Sequence, residues 1–375
     1  MGPVAASLKV KTLNDSPYYM EQKKKKKILL HDQRYSIGGP KVVLDGIRNS
    51  YLKEQFDFVT LEQTEACGFN PIKAIRFVIK YRKLINQEKA DAIYICGLQY
   101  TGLLMTIASK LSNVKKVVLS VHGSDWDNPD GTLRKWILMH IVEPLEIKLA
   151  DSVFTVCEAA QKTIKPLRRC RHNDGVVYNT FPDVDYSKIP SGTIRKELGI
   201  GDDKIIVTSV GRVVKAKGHD YVIEAIKHIS DNRFVFVVVG DGPYVDEYQK
   251  RCNEEIARGQ VFLLGKRTDV YSILKDSDIF LFATLNENHS IALLEAVNMK
   301  CCALCTNVGG NPEIIENNES GILIPKCDSN AIIKGLYFLE NEKLRKIYAQ
   351  KAYDMCRDKF SIENTYGILH MIFNR

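Results

Sequence analysis

From Ile28 onward the chain alternates short apolar runs with longer stretches whose apolar residues recur at helical spacing. The runs Ile28-Leu30, Phe56-Thr60, Ala92-Cys96, Val117-Val121, Val153-Val156 and Val176-Tyr178 have strand length and little polar alternation, the pattern of strands buried on both faces. Between them, the stretches around 41–53, 71–86, 99–112 and 132–148 read as helices. The segment Asn179 to Asp203 breaks this rhythm with Pro182, Pro190, Gly192, Gly199 and Gly201 and reads as a hinge or linker. The rhythm then restarts. Strands are expected at Ile205-Val210, Phe234-Val239, Val261-Leu264, Ile279-Ala283, Ala303-Thr306 and Ile322-Ile324, with helices near 219–230, 243–257, 290–299 and 329–339 and two terminal helical stretches at about 342–358 and 361–373. This alternation predicts an α/β protein of two Rossmann-like, doubly wound halves facing each other across a cleft. The divisions expected are a polar, basic lead over 1–27, a first domain over 28–180, the linker over 181–203, a second domain over 204–360, and a helix over 361–375 available to cross back onto the first domain.

With 45% hydrophobic and 26% charged residues in 375, the chain is globular, and disordered or collagenous classes are excluded. No apolar run approaches the roughly 20 residues of a spanning helix, and residues 1–22 lack the charged start and apolar middle of a signal peptide, so a cytoplasmic protein is expected. Ten cysteines, several inside apolar runs as at Cys96 and Cys157, read as buried thiols rather than a disulfide framework. The net charge of +8 is uneven: residues 1–180 carry 28 Lys and Arg against 18 Asp and Glu, whereas the remainder is slightly acidic. That excess, with the run Lys23 to Lys27, suits either an anionic membrane surface or an ordinary solvated basic face. Nucleic acid is disfavoured as a partner, because no aromatics interleave the basic run and no nucleic-acid motif accompanies it.

In an open α/β sheet, ligands lie outside the carboxyl ends of the strands, so the residues just after each strand are the candidates for chemistry. After Ile205-Val210 comes Gly211-Arg212-Val213-Val214-Lys215-Ala216-Lys217-Gly218, where Arg212 and Lys217 offer a guanidinium fork and an ammonium to a diphosphate, or else form a solvated basic loop. Val239-Gly240-Asp241-Gly242-Pro243 is explained by a tight strand-to-helix turn. Thr284-Leu285-Asn286-Glu287-Asn288-His289-Ser290 precedes a helix that carries Glu295; Ser290 suits an N-cap, and the free amides beyond it suit an anion. Glu287 and Glu295 either bind sugar hydroxyls or complement the helix dipole. In the first half, Ser36-Ile37-Gly38-Gly39-Pro40 permits close backbone approach or is a plain turn, and His122-Gly123-Ser124-Asp125 aims an imidazole at the cleft, although a lone His is more often structural. The Asp-x-Asp triplets at 125–127, 183–185 and 276–278 read as structural, and Cys301-Cys302-Ala303-Leu304-Cys305 reads as core rather than metal site.

Six motifs, in order, resemble the retaining glycosyltransferases of family 4 (glycosyl transferases group 1), closely over 200–317 and loosely over 28–180. They are Val210-Gly211-Arg212 with Lys217-Gly218; Val239 to Pro243; Leu264-Gly265-Lys266-Arg267 with Asp269-Val270; Asp276-Ser277-Asp278-Ile279-Phe280; Glu287 to Glu295-Ala296; and Thr306-Asn307-Val308-Gly309-Gly310-Asn311-Pro312-Glu313-Ile314. The resemblance implies the GT-B fold and transfer of a sugar from a nucleotide-sugar donor, a UDP- or GDP-sugar, to a hydroxyl acceptor with its anomeric configuration kept. The setting implied is surface polysaccharide, lipopolysaccharide or glycolipid synthesis, with a glycan or lipid-linked acceptor, no obligatory cofactor and no metal. An enzyme of that kind would work in the cytoplasm or peripherally on the inner face of the membrane.

Carried over residue by residue, the resemblance makes Arg212, Lys217, Glu287 and His122 catalytic. Arg212 and Lys217 would neutralise the departing diphosphate, Glu287 would face the donor sugar, and His122 would bind it. Gly38, Gly39, Gly211, Arg267, Asn288, His289, Ser290, Ile291 and Glu295 would complete the donor site, with Glu295 on the ribose hydroxyls and the backbone around Arg267 bordering the base. Asn288 and His289 stand where the family usually has Gly and an aromatic, and Val297-Asn298-Met299-Lys300-Cys301-Cys302 replaces its usual Ala-Cys-Gly-x-Pro. No residue stands out as an enzymic nucleophile, which favours front-face departure over a covalent intermediate. Competing readings are a nucleotide-sugar epimerase or sugar-phosphate-forming enzyme on the same fold, and a non-catalytic sugar-nucleotide-binding module.

Overall fold

In the computed structural model, which describes residues 24–33, 39–64, 66–127 and 131–375, the apolar runs become twelve strands in two six-stranded sheets. The first sheet holds β1 (Lys26–Gln33), β2 (Phe56–Gln63), β3 (Ala92–Cys96), β4 (Lys116–Val121), β5 (Ser152–Thr155) and β6 (Asn173–Val176), in the order β2-β1-β3-β4-β5-β6. The second holds β7 (Ile205–Val210), β8 (Phe234–Val239), β9 (Val261–Leu263), β10 (Ile279–Phe282), β11 (Cys302–Thr306) and β12 (Gly321–Ile324), in the order β12-β11-β10-β7-β8-β9. Every strand pair is parallel. Helices cover both faces, so every residue of the central β3 and of β8 is buried, while the edge strand β2 alternates, with Phe56 in and Asp57 out. Cys301, Cys302 and Cys305 are free, buried thiols at the start of and within β11.

Three departures from the sequence reading have local causes. β6 ends at Val176 rather than beginning there, because its pairing with β5 slips between Val153 and Thr155 and Gly175 adopts φ 86°. The helix expected over 132–148 is broken into Leu133–Ile137, a π-turn over Leu138–Val142, and Glu143–Leu149. Pro144 has no N–H to give to the preceding turn, and the wider turn absorbs that loss. The segment read as a linker contains the helix Thr193–Leu198, bounded by Gly192 and Gly199 in the left-handed region. Ile194 of that helix packs with Ile206, Val235 and Val237 on the second sheet. Asp276 accepts from the Ile194 amide at 2.9 Å, and Asp278 pairs with both Arg195 and Arg345 at 3.1 Å, so the third Asp-x-Asp triplet is spent on packing.

The last helix, Ile362–Asn374, lies on the first sheet, where Tyr366, Leu369, Ile372 and Phe373 share a core with Ile28, Leu30, Phe56 and Tyr94. Phe373 meets Phe56 edge to face at 5.5 Å. Lys26 donates to the carbonyls of Phe373 and Asn374, at 3.3 and 3.0 Å, setting a cation at the negative end of that helix. The lead over 1–23 lies outside the described residues; Lys24 and Lys25 are exposed ahead of β1. None of the described helices is long and apolar enough to cross a membrane.

Candidate active site between the two sheets

The chain direction in the sheet order reverses between β1 and β3 in the first sheet and between β7 and β10 in the second. Loops leaving such a pair part to opposite faces and open a crevice at the strands' carboxyl ends. Here the two crevices face each other and form one cleft of about 550 Å³. Gly211, Arg212, Lys217, Glu287, Asn288, His289, Ser290 and Ile291 line it from the second sheet, and Gly39 and His122 from the first. Gly38 lies outside the described residues.

Glycine backbone contacts set the second half of this cleft. Gly218, at φ 72°, packs where a Cβ would lie 1.9 Å from the Ala283 carbonyl oxygen, which ties the turn carrying Lys217 to the end of β10. Gly309, at φ 50°, sits where a Cβ would lie 1.6 Å from the Glu287 carbonyl oxygen, so the Gly309-Gly310 loop holds Glu287 from behind. Gly240 and Gly242 likewise press on the carbonyls of Gly211 and Val213 and act as a turn that braces the Arg212 loop.

Lys217 is ion-paired with Glu287, and the two side chains are only 24% and 22% exposed. Arg212 lines the cleft and has no carboxylate within ion-pair distance among the described residues. The helix Ile291–Asn298 begins at the same place. Ser290 caps it by accepting from the Leu293 amide at 3.2 Å, and Ser290, Ile291 and Ala292 at this helix start line the cleft, where the amides of a first turn lack helical acceptors. Across the cleft, burial pushes the pKa of His122 down to about 4, so its imidazole is neutral near pH 7. Its Nε2 lies 3.0 Å from Ser120 Oγ.

Asn288 and His289, the two unusual residues of this loop, join the halves. Asn288 Nδ2 donates to the His122 carbonyl at 2.9 Å and to Asp127 at 3.2 Å. The His289 ring is packed between Tyr178 and Phe360, at 5.1 and 4.6 Å, and its carbonyl accepts from Asn179 Nδ2 at 2.7 Å. Burial pushes its pKa down to about 3, so that ring is a neutral packing element and its backbone is the part available to a ligand. Glu313 adds a further link, accepting from the Glu158 and Ala159 amides at 3.0 and 2.9 Å and from the Tyr178 hydroxyl at 2.9 Å.

Two of the expected donor residues stand elsewhere. Glu295 lines a neighbouring cavity of about 170 Å³ with Tyr271, whose hydroxyl is 3.5 Å away, and burial pushes its pKa up to about 7. Arg267 is held by Glu197 and Asp269, at 2.6 and 2.7 Å, and does not line the cleft. Conversely, Asp32, Gln33, Gln99, Asn179 and Asn286 line the cleft without having been singled out. Inspecting every strand end would have found Gln99, three residues beyond β3, whereas Asn179 enters only because the chain turns there between the halves. No cluster of three or more metal-ligating side chains occurs among the described residues.

The chain matches the family model described as glycosyl transferases group 1 over residues 191–355 and that described as glycosyl transferase 4-like over 46–144. It is 30% identical over 316 residues to the UDP-Gal:alpha-D-GlcNAc-diphosphoundecaprenol alpha-1,3-galactosyltransferase of Escherichia coli, spanning 80% of this chain and 78% of that one. It is 24% identical over 281 residues to the N-acetylgalactosamine-N,N'-diacetylbacillosaminyl-diphospho-undecaprenol 4-alpha-N-acetylgalactosaminyltransferase of Campylobacter jejuni, spanning 73% of this chain and 74% of that one. Its fold is similar to that of Anabaena HepE solved with UDP and glucose, with a TM-score of 0.76, 18% identity, and coverage of 92% of this chain and 99% of the other. Sucrose-phosphate synthase from Thermosynechococcus elongatus has the same fold at a TM-score of 0.77 and 13% identity, covering 93% and 98%. With two parallel sheets meeting at a cleft lined by Arg212, Lys217 and Glu287 and a relative at this identity over most of both lengths, the chain belongs to the group 1, family 4 glycosyltransferases, GT-B enzymes that transfer sugar from nucleotide-sugar donors in glycan biosynthesis.

Proposed function

We propose that the protein is a retaining transferase that moves a hexosyl unit from a UDP-sugar to a hydroxyl of a lipid-linked, diphosphate-bearing glycan. One observation carries the reading: a guanidinium with no carboxylate within ion-pair distance among the described residues, an ammonium–carboxylate pair and a helix N-terminus converge in one cleft. That is the arrangement expected for a diphosphate that gains charge as it leaves. The choice of UDP draws on HepE, solved with UDP and with UDP-glucose, and the choice of acceptor on the E. coli and C. jejuni relatives, whose names state diphosphoundecaprenol acceptors.

In this reading the bond between the anomeric carbon and the β-phosphate oxygen breaks, and Arg212, Lys217 and the amides of Ser290 and Ile291 take up the charge on the diphosphate. The acceptor oxygen attacks from the same face, and its proton passes to the departing phosphate oxygen. Glu287, fixed by Lys217 and by the Gly309-Gly310 loop, orients the donor sugar from the side opposite His122. Neutral His122 supplies a hydrogen bond and no charge. Thermal-shift titration with UDP, GDP, ADP, CMP and dTDP, with and without EDTA, tests the donor class: a ligand at 100 times its Kd adds about 2.7 kcal/mol. A shift with UDP alone, unchanged by EDTA, is expected, followed by an α-anomeric product from an α-linked donor in NMR. A β-anomeric product would refute retention, and a shift with GDP alone would refute the choice of base.

A further inference from the structure

The helix Pro71–Glu88 buries Ala74, Phe77, Tyr81 and Ile85 against the first sheet, which accounts for one apolar face. It carries a second. Ile72, Ile75 and Ile79 are 64%, 61% and 63% exposed, and at 100° per residue they fall within about 60° of one another, on the side away from the core. Arg76, Lys80 and Lys83 run along one flank of that stripe and Arg82 along the other; all four are exposed, and none has a carboxylate partner among the described residues. The stripe continues beyond the helix start. Phe69 is half exposed and stacks on Tyr100 at 4.5 Å, and the Arg134 guanidinium lies 5.8 Å over its ring, which leads to the exposed Leu133 and Trp136.

An apolar stripe bordered by unpaired cations is the surface that enters an anionic lipid interface, the side chains among the acyl ends and the cations at the headgroups. Its position in the fold matches that use. β2 runs toward the cleft end of the sheet, so the helix that follows begins at that end, and Tyr100 directly follows the cleft-lining Gln99. The other basic region, with Lys24, Lys25, Lys53, Lys89 and Lys115, gathers at the amino ends of the same strands, about 26 Å away along an eight-residue strand. A bilayer touching that end would hold its lipids away from the cleft.

We propose that the face formed by Ile72, Ile75, Ile79 and Phe69 docks on an anionic phospholipid surface and turns the cleft mouth toward it, while the Lys24–Lys27 run does not. The role given to this docking rests on the lipid-linked acceptor proposed above; the docking itself does not, and the two are separable by experiment. Sedimentation with vesicles of phosphatidylcholine and phosphatidylglycerol in a 70:30 ratio tests the face. Wild-type protein is expected to bind, and Ile72→Gln/Ile75→Gln/Ile79→Gln to bind at least about tenfold more weakly at an unchanged melting temperature, since all three side chains are solvent-exposed. Lys24→Gln/Lys25→Gln is expected to bind within about twofold of wild type, and Ile75→Glu alone to bind more weakly than wild type. Wild-type binding that survives the triple substitution, that is lost only with the lysine pair, or that is absent altogether would overturn the proposal. So would light scattering that finds a dimer dissociated by the triple substitution, which would make the stripe a contact between copies of this chain. Transfer to an acceptor presented in detergent reports on the acceptor reading separately.

Discussion

Arg212→Ala is the sharpest perturbation of the proposed site, because Arg212 has no ion-pair partner among the described residues whose loss would disturb folding. Arg212 lines the cleft with no carboxylate partner among the described residues, so its removal strands no buried acid. A unit charge about 4 Å from a diphosphate oxygen interacts by about 4 kcal/mol at an effective dielectric of about 20. The donor is already anionic in the ground state, so only the increment developed on departure enters the barrier; an increment of about 2.7 kcal/mol corresponds to about 10²-fold in rate. Initial rates with a UDP-sugar are therefore expected to show kcat/KM down by about 10²-fold or more, with most of the loss in kcat, and Arg212→Lys recovering part of it. The melting temperature should stay within about 1 °C of wild type, as for substitutions that leave no buried group unpaired. A kcat/KM within threefold of wild type in Arg212→Ala would refute the assignment of the cleft as the diphosphate site.

Other substitutions probe the supports of the same site. Gly309→Ala drives a Cβ onto the Glu287 carbonyl and strains a left-handed backbone, and is expected to cost more than about 1 kcal/mol by chemical denaturation and to weaken UDP binding in calorimetry. Glu313→Gln leaves one of two backbone amides at the head of the helix Glu158–Thr163 without its carboxylate acceptor, and should lower stability by about 1.5–3 kcal/mol. Lys217→Met should lower kcat/KM and also stability, because Glu287 then loses its partner in a half-buried position, in contrast to Arg212→Ala. Burial pushes Glu143 up to about 7, while its carboxylate accepts from Ser124 Oγ at 2.6 Å and from the Asp125 amide at 2.8 Å. The folded protein therefore holds a proton that the unfolded chain releases near 4.5, and this contribution to stability is lost as pH rises from about 4.5 to about 7. Glu143→Gln removes the dependence, so melting curves at pH 5 and pH 7 should show the variant gaining on wild type by up to about 3 kcal/mol; a constant difference would sink the argument.

Much of the catalytic half was legible because its chemistry is local. The Arg212 loop, the Glu287 loop and the Ser290 cap each follow a strand directly, and strand ends in a parallel sheet share one edge. Surroundings that come from distant segments were not legible. The backbone around Arg267 was expected to border the base, and only the fold shows its guanidinium held by Glu197, 70 residues earlier. His289 was expected in the donor site through its backbone, and only the fold shows that Tyr178 and Phe360 enclose its ring. Asp276 and Asp278, read as structural from the sequence, clamp the helix at Ile194 and Arg195, partners that only the fold reveals.

By itself the sequence determined the number, order and approximate limits of the strands, because an apolar run covered on both sides needs no partner's identity to be recognised. It likewise determined the ordered motifs that define the family. Only the tertiary structure decided which charges remain unpaired and which are neutralised, since a few ångströms between side chains far apart in the chain separate a solvated cation from a spent one. It also decided which apolar side chains have no core to enter. The spacing of Ile72, Ile75 and Ile79 is helical in either case, and only the packing of Ala74, Phe77, Tyr81 and Ile85 on the first sheet turns those three toward solvent.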